Sequence, residues 1–273
     1  MITKLILLGK TGMLGGYIYK YFSDLRVPIQ VVSEFRVTAE TLGEVEQILI
    51  DKGLDEETCV INCIGKIPQR HGASESDKDY FLVNSVFPHI LWTICKRYGA
   101  KMIQPATDCV YTGLKGGYIE TDVHDERGSY GMSKSLGEPL GCTVIRSSII
   151  GRELLNKASL IEFVFKNQGK TIQGWKNHMW NGITCLEYCK VIQQIIVKDM
   201  FWSGVRHIVS PRAVSKYELL QIVKEAYGLT VVIQESDGPT KVDKTLNTIY
   251  VENGSFNIPD LVFQLKELSL FHL

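Results

Sequence analysis

An α/β fold, with a doubly wound parallel sheet and a smaller α/β lobe, is what this 273-residue sequence predicts. Three observations carry that prediction. Short apolar runs alternate with stretches whose apolar positions recur at helical spacing. A glycine-rich turn, Gly9-Lys10-Thr11-Gly12-Met13-Leu14-Gly15, follows the first apolar run and opens the first helical stretch. A Tyr-x-x-x-Lys unit, Tyr130 to Lys134, stands where a later helix begins. That spacing is about one helical turn, so phenol and ammonium share a face, and the ammonium is expected to favour the ionised phenol and lower its pKa. Together they predict a Rossmann-type domain with an acid/base tyrosine beside a dinucleotide site.

The elements follow in order. Residues 4–8 form an apolar strand that ends at Gly9; Leu14, Ile18, Phe22 and Leu25 then recur at helical spacing, and Pro28 closes the unit. A second strand is expected over 29–33, a helix over 39–52 and a strand over 58–63. A polar loop (68–79), a helix (80–98), a strand (101–106) and a glycine-rich loop (112–117) come next. After the Tyr130 helix, 142–146 is another strand. Strands alternating with helices imply right-handed crossovers and a parallel sheet covered on both faces. Beyond Gly151 the pattern loosens into a helix (158–167), an aromatic loop (175–180) and a helix (184–198). A strand (206–210), a helix (215–227) and a strand (230–234) follow. We therefore expect residues 1–150 to bind the cofactor and residues 151–273 to form mainly a substrate lobe, interleaved with the first, with substrate in the cleft between them.

Composition narrows the function classes. Hydrophobic residues make up 45%, ample for a large core, and 30 basic residues balance 30 acidic ones. That neutrality removes the basic surface a sequence-independent nucleic-acid binder needs. No apolar run approaches the ~18 residues of a membrane span, and residues 1–8 lead straight into a strand, so a soluble cytoplasmic protein is expected. The seven cysteines are an odd set lying mostly in apolar stretches; Cys185 and Cys189 could share a helix face, but no second pair completes a metal site, and no metal is expected. The oligomeric state, a homodimer included, stays open.

In the glycine turn, Gly9 permits the tight exit from the strand, Gly12 lets the backbone approach a pyrophosphate, and Gly15 allows helix and sheet to pack closely. The helix N-terminus, from Met13 and Leu14, offers amide donors to phosphate, with Lys10 and Thr11 beside it. The end of the second strand sets cofactor choice: Glu34 could hold the 2′-hydroxyl of NAD, whereas Arg36, aided by Lys10, could neutralise the 2′-phosphate of NADP. NADPH is the expected cofactor, NADH the alternative; both bases would otherwise be ordinary solvated residues.

With these motifs in hand, the chain resembles the extended short-chain dehydrogenase/reductases through Gly9–Gly15, Asn62-Cys63-Ile64-Gly65, Thr107-Asp108-Cys109-Val110-Tyr111-Thr112-Gly113 and Tyr130–Lys134. Among them it is most similar to the dTDP-4-dehydrorhamnose reductase type, over nearly its whole length. Ser135-Leu136-Gly137-Glu138-Pro139, Arg146 to Gly151 and Asn177-His178-Met179-Trp180-Asn181-Gly182 resemble a branch acting on UDP-linked 2-acetamido-2,6-dideoxy-4-hexuloses. The resemblance implies NAD(P)H-dependent reduction of the 4-keto group of a nucleotide-linked 6-deoxyhexose, in deoxysugar and polysaccharide biosynthesis.

It also implies roles. Thr107 would hydrogen-bond the substrate ketone, Tyr130 would give it a proton, and Lys134 would bind the nicotinamide ribose and tune Tyr130. Without Tyr130, Thr107 would read equally well as a strand-end cap. Asn62, Cys63, Ile64 and Gly65 would line the cofactor, and Asp108, Cys109 and Val110 the substrate. Pro88 removes an amide that would bond the carbonyl of Asn84, which could then hold a relay water to the lysine; a plain kink with Asn84 at the surface is the alternative.

Cys109 divides reaction types. Related 4,6-dehydratases carry a glutamate after the Thr-Asp pair for eliminating water; Cys109 there favours reduction. A rival reading is a bifunctional 3,5-epimerase/4-reductase, in which a cysteine near the active hydroxyl residue works with a histidine, here His178. A regulatory subunit that binds a dinucleotide without turnover is a third, against which the intact Thr107, Tyr130 and Lys134 argue.

In the second lobe, Asn177, His178, Trp180 and Asn181 suit a sugar, whose apolar face stacks on aromatics and whose hydroxyls bond amides. The alternative is a packed loop with a satisfied histidine. Arg146, Arg206 and Arg212 are candidate diphosphate contacts. Each reads better as a structural ion-pair residue, and none is assigned.

Overall fold

The computed structural model describes residues 1–33, 35–68, 77–153, 155 and 157–273. Glu34 and part of the polar loop therefore lie outside the described residues. The first half alternates as its periodicity predicts: β1 (Lys4–Leu8), α1 (Met13–Asp24), β2 (Ile29–Val32), α2 (Val45–Asp51), β3 (Thr58–Asn62), α3 (Asp77–Phe81), α4 (Phe87–Arg97), β4 (Lys101–Ala106), α5 (Ser129–Leu136) and β5 (Thr143–Arg146). The second half holds β6 (Ile149–Ile150), α6 (Leu160–Lys166), β7 (Thr171–Trp175), β8 (His178–Trp180), β9 (Ile183–Thr184), α7 (Cys185–Val197) and β10 (Gly204–His207). It ends with β11 (Val214–Ser215), α8 (Lys216–Tyr227), β12 (Val232–Ser236), β13 (Val242–Asp243) and α9 (Leu261–Leu270).

The main sheet has six parallel strands in the order β10-β5-β4-β3-β1-β2. Every residue of β3 is buried, as a central strand covered on both faces requires. One face packs on α1 and α7 through Leu5, Leu7, Tyr17, Ile18, Tyr188 and Ile192. The other packs on α2 and α4 through Ile6, Leu8, Leu49, Phe87 and Leu91. The protein is thus an α/β Rossmann-like fold, and the order of strands reverses between β1 and β3, where ligands bind in such sheets. The sixth strand, β10, comes from the second half of the chain and pairs with β5 from Gly204–Thr143 to His207–Arg146.

Several expectations change. The helix over 39–52 is a 3₁₀ turn (Thr41–Glu44) followed by α2. The helix around Pro88 is already formed at Asp77, earlier than expected, and its middle, Leu82–Val86, winds as a π-helix in which the N–H of Phe87 bonds the carbonyl of Leu82. Pro88, in the first turn of α4, supplies no amide, and widening the ladder by a residue accommodates it. The aromatic loop over 175–180 is the end of β7, a turn and β8; β7 alternates exposed and buried residues and pairs with β12. In α9, Asp260 caps the helix by accepting from the N–H of Val262, and Leu261, Leu265 and Leu268 form its buried stripe.

Candidate active site

The carboxyl ends of β1, β3, β4 and β5 all open on one cleft of 390 Å³, lined in turn by Gly12, Met13 and Leu14, by Asn62 to Gly65, by Thr107 to Cys109, and by Ser147 and Ser148. Tyr130 and Lys134 reach the same cleft from α5. A second pocket of 370 Å³ shares Gly12, Cys63, Ile64 and Gly65 with it and continues past Gly9, Lys10 and Thr11 to Arg36.

Glycine is required at both ends of the first turn. Gly9 sits at φ +81°, and a Cβ there would lie 2.5 Å from the carbonyl carbon of Cys63. A Cβ on Gly15 would lie 2.1 Å from the carbonyl oxygen of Gly9, so the turn closes on the helix only without a side chain. This bare backbone, running between two joined pockets, fits the pyrophosphate of a dinucleotide. Asn62 is buried, donates from Nδ2 to Gln104 Oε1 at 2.8 Å, and accepts from the N–H of Ile64 at 3.2 Å, which shapes the strand end facing that backbone. Lys10 lies 3.3 Å from the centroid of the Tyr19 ring, and Arg36 is exposed at the far rim.

Thr107 both caps and lines the site. Its hydroxyl accepts from the N–H of Cys109 at 3.2 Å, starting the 3₁₀ turn Asp108–Val110, and donates to Asp108 Oδ1 at 3.2 Å. A hydrogen bond also links Thr107 to the Tyr130 phenol and favours its ionised form. Burial nevertheless pushes the phenol well above its usual value, and the neighbouring Cys109 and Asp108 add to that. The lowering expected from Lys134 is therefore corrected: desolvation dominates. Burial also lowers the Lys134 pKa, opposed by Glu138, Cys63 and Cys109.

Asn84 is buried rather than at the surface. Its side chain accepts from the N–H of Lys66 at 2.8 Å, and donates to the Lys66 carbonyl at 3.0 Å and to Ser133 Oγ at 3.1 Å. Ser133 Oγ in turn donates to the carbonyl of Tyr130 at 2.8 Å, so Asn84 ties the loop after β3 to the helix of the acid/base pair. Its backbone carbonyl faces Gly137, where a Cβ would come within 1.6 Å, so the end of α5 packs directly on the π-turn.

The substrate residues divide. Asp108, Cys109 and Trp180 line the cleft with Thr107. Val110 does not: it is buried with Tyr111, Tyr118 and Leu246 in a separate small core. Asn177 exchanges hydrogen bonds with the backbone of Gly238, His178 Nε2 meets the Thr240 carbonyl at 2.9 Å, and Asn181 bonds both backbone groups of Leu246. These three hold the segment carrying β13 against β8 and line neither pocket, which corrects the substrate contact expected of them. His178 Nε2 is engaged with the Thr240 carbonyl, and His178 does not line the cleft that Cys109 lines. The Cys109 thiol is pushed up to about 11, first by burial and then by Asp108, and so is poorly suited to act as a base near neutral pH.

The arginines are structural. Arg146 is buried against Glu138, Arg206 lies over Trp202 and Tyr250, and Arg212 faces Glu218 and Asp260. The sequence reading missed Ser147 and Ser148, which the strand-end rule could have found one and two residues past β5, and it missed Lys216, which only tertiary folding brings to the cleft. Among the described residues no group of His, Cys, Asp or Glu could hold a metal ion, and no helix is long and apolar enough to cross a membrane.

Comparisons with known proteins agree with this architecture. The model of the RmlD substrate binding domain matches residues 3–152, more than half of the chain. Comparison with curated protein sequences finds no match. Among solved structures, a dTDP-4-dehydrorhamnose reductase from Bacillus anthracis, in complex with NADP, superposes with a TM-score of 0.80 at 16% identity, covering 99% of both chains. A dTDP-4-dehydrorhamnose reductase from Clostridium acetobutylicum gives 0.75 at 18% identity, covering 97% of this chain and 98% of that one. A dTDP-glucose 4,6-dehydratase from Bacillus anthracis, in complex with NAD, gives 0.73 at 15% identity over 98% and 96%. At such identities the likeness shows the fold, which reductase and dehydratase share. The family rests on the matched model: the chain belongs to the RmlD substrate binding domain family, within the extended short-chain dehydrogenase/reductases.

Proposed function

We propose that this protein reduces the C4 ketone of a nucleotide-linked 4-keto-6-deoxyhexose, of the UDP-2-acetamido-2,6-dideoxyhexulose or dTDP-4-dehydrorhamnose type, with NADPH. One observation carries the reading: Thr107, Tyr130 and Lys134 meet in a cleft continuous with the pocket floored by the glycine turn. When bound, the cofactor supplies hydride to the carbonyl carbon. The chain's residues do the rest. Thr107 holds the ketone oxygen, and Tyr130, whose raised pKa keeps the phenol protonated at neutral pH, delivers its proton as charge develops there. Lys134 stabilises the phenolate left behind and orients the ribose. Asp108 and Cys109 stand beside Thr107 with no glutamate for dehydration, which supports reduction.

Lys10, Arg36 and Lys66 line the second pocket and suit a 2′-phosphate, supporting NADPH over NADH. On this reading residues 1–150 hold the cofactor, 151–273 supply mainly the substrate side, and the enzyme works in the cytoplasm in deoxysugar biosynthesis. The test is incubation with UDP- and dTDP-linked 4-keto-6-deoxysugars plus NADPH or NADH, with NMR of the product. A new C4 hydroxyl with stoichiometric NADPH oxidation is expected; no oxidation with either sugar class would overturn the proposal.

A further inference from the structure

Lys134 and Lys216 are the two cations that line the 390 Å³ cleft among the described residues. Lys134 belongs with Tyr130. Lys216 has no such duty, and it comes from the other half of the chain as the first residue of α8. Its ammonium stands 5.7 Å from the centroid of the Trp180 ring, over one wall of the cleft. Among the described residues it forms no ion pair or hydrogen bond, unlike Arg146, Arg152 and Arg212, each of which has a carboxylate partner. Burial lowers its pKa, and the charges of Asp108 and Cys109 act against that from beside the Thr107 end of the cleft. Asp108 is itself engaged, accepting from Thr107 and Cys109.

A partly desolvated ammonium without a paired carboxylate is completed by an anion from the ligand. In a nucleotide-linked pyranose the anionic part is the diphosphate on C1, at the opposite end of the ring from C4. With the C4 ketone at Thr107 and Tyr130, an unpaired cation that lines the same cleft from the second lobe, beside Trp180, is the complementary group. We infer that Lys216 receives the diphosphate of the nucleotide-sugar substrate. The apolar face of Trp180 beneath it leaves the adjoining wall for the sugar. The inference rests on the reading of the substrate as a nucleotide sugar, and it makes Lys216 a binding residue remote from the reacting carbon.

The experiment is calorimetric titration of dTDP, UDP, thymidine and uridine into protein saturated with NADPH, for wild type, Lys216→Met and Lys216→Arg. The Met side chain keeps the stem over Trp180, and Arg restores the charge. The preferred nucleoside diphosphate should bind Lys216→Met roughly ten- to a hundredfold more weakly, the size of one charge-assisted hydrogen bond, while Lys216→Arg recovers most of that loss and nucleoside affinity stays level. In turnover, KM for the ketosugar should rise by the same factor with kcat kept, because the contact is equal in ground and transition states. Equal diphosphate affinity in wild type and Lys216→Met, an equal loss for nucleoside and diphosphate, or no binding of either diphosphate to wild type would overturn the inference. Failure of the reaction reading looks different: no ketosugar is reduced, yet Lys216→Met still weakens diphosphate binding.

Discussion

Replacing Glu138 by Ala strands a guanidinium in the interior. Arg146 and Glu138 have side chains only 1% and 5% exposed, and they pair through Nε to Oε1 at 3.0 Å and Nη2 to Oε2 at 2.6 Å. The remaining partners of Arg146 are neutral: the Tyr111 hydroxyl at 2.8 Å, His207 Nε2 at 2.8 Å and His124 Nε2 at 2.7 Å. A guanidinium only donates, so both histidines must be neutral to accept from it. Removing one member of a buried pair costs about 3–5 kcal/mol, a large share of the ~5–15 kcal/mol that holds a domain together. Guanidinium denaturation at pH 7 should show that loss, and a thermal scan a fall of roughly 6–20 °C. The same network fixes a pH dependence. Burial, then Arg146, depresses both histidines to about 4, below their unfolded value of 6.5, so the unfolded chain binds the extra protons between those limits. Wild-type stability should hold above pH 6.5 and fall as pH drops toward 4, by on the order of 1.4 kcal/mol per pH unit for the buried His207 and by less for the half-buried His124, which solvent screens. A Glu138→Ala loss under about 1 kcal/mol, or stability flat from pH 7 to 4, would refute the picture of a buried cation held by one carboxylate and two neutral imidazoles.

Three further tests address the chemistry. Tyr130→Phe should lower kcat by about 10²–10⁴ while leaving the Kd for NADPH nearly unchanged in a fluorescence titration; equal activity would remove Tyr130 from the proton step. Arg36→Ala should raise KM for NADPH far more than KM for NADH, and parallel shifts would make Lys10 the next candidate selector. Cys109→Ser should retain 4-keto reduction, and wild type in D₂O should incorporate no deuterium at C3 or C5; exchange lost in the variant would make the thiol a proton-transfer group after all.

Local signals predicted what local forces fix. The glycine turn could be read because Gly9 and Gly15 answer to backbone contacts that no side chain survives. The acid/base pair could be read because its spacing is one helical turn. What escaped depends on distant partners. Asn177, His178 and Asn181 have the right chemistry for a sugar, but the backbone of residues 238–246 claims their polar atoms, and nothing near position 178 announces that. Lys216 carried no motif; only the docking of α8 brings it to the cleft. The Tyr130 pKa was misjudged because spacing reports the neighbouring lysine but not the burial that outweighs it. α9 was legible, since Asp260 and the Leu261, Leu265, Leu268 stripe are local signals, but the sequence reading did not extend to it.

The pairing of β10 with β5 sets an order of events during synthesis. β5 is finished at Arg146, yet the strand that covers its free edge begins only at Gly204. At ordinary translation speed the gap lasts roughly 3–12 s. Throughout it the nascent chain presents an apolar parallel edge, with Val144 and Ile145 in its middle, and for most of it, until Cys185–Val197 is made, the sheet face that α7 covers also stays open. Such an edge invites pairing with another chain. Chains stalled or cut between these two strands should therefore be the aggregation-prone species, and slowing translation across residues 147–203 should lower soluble yield without altering the finished protein.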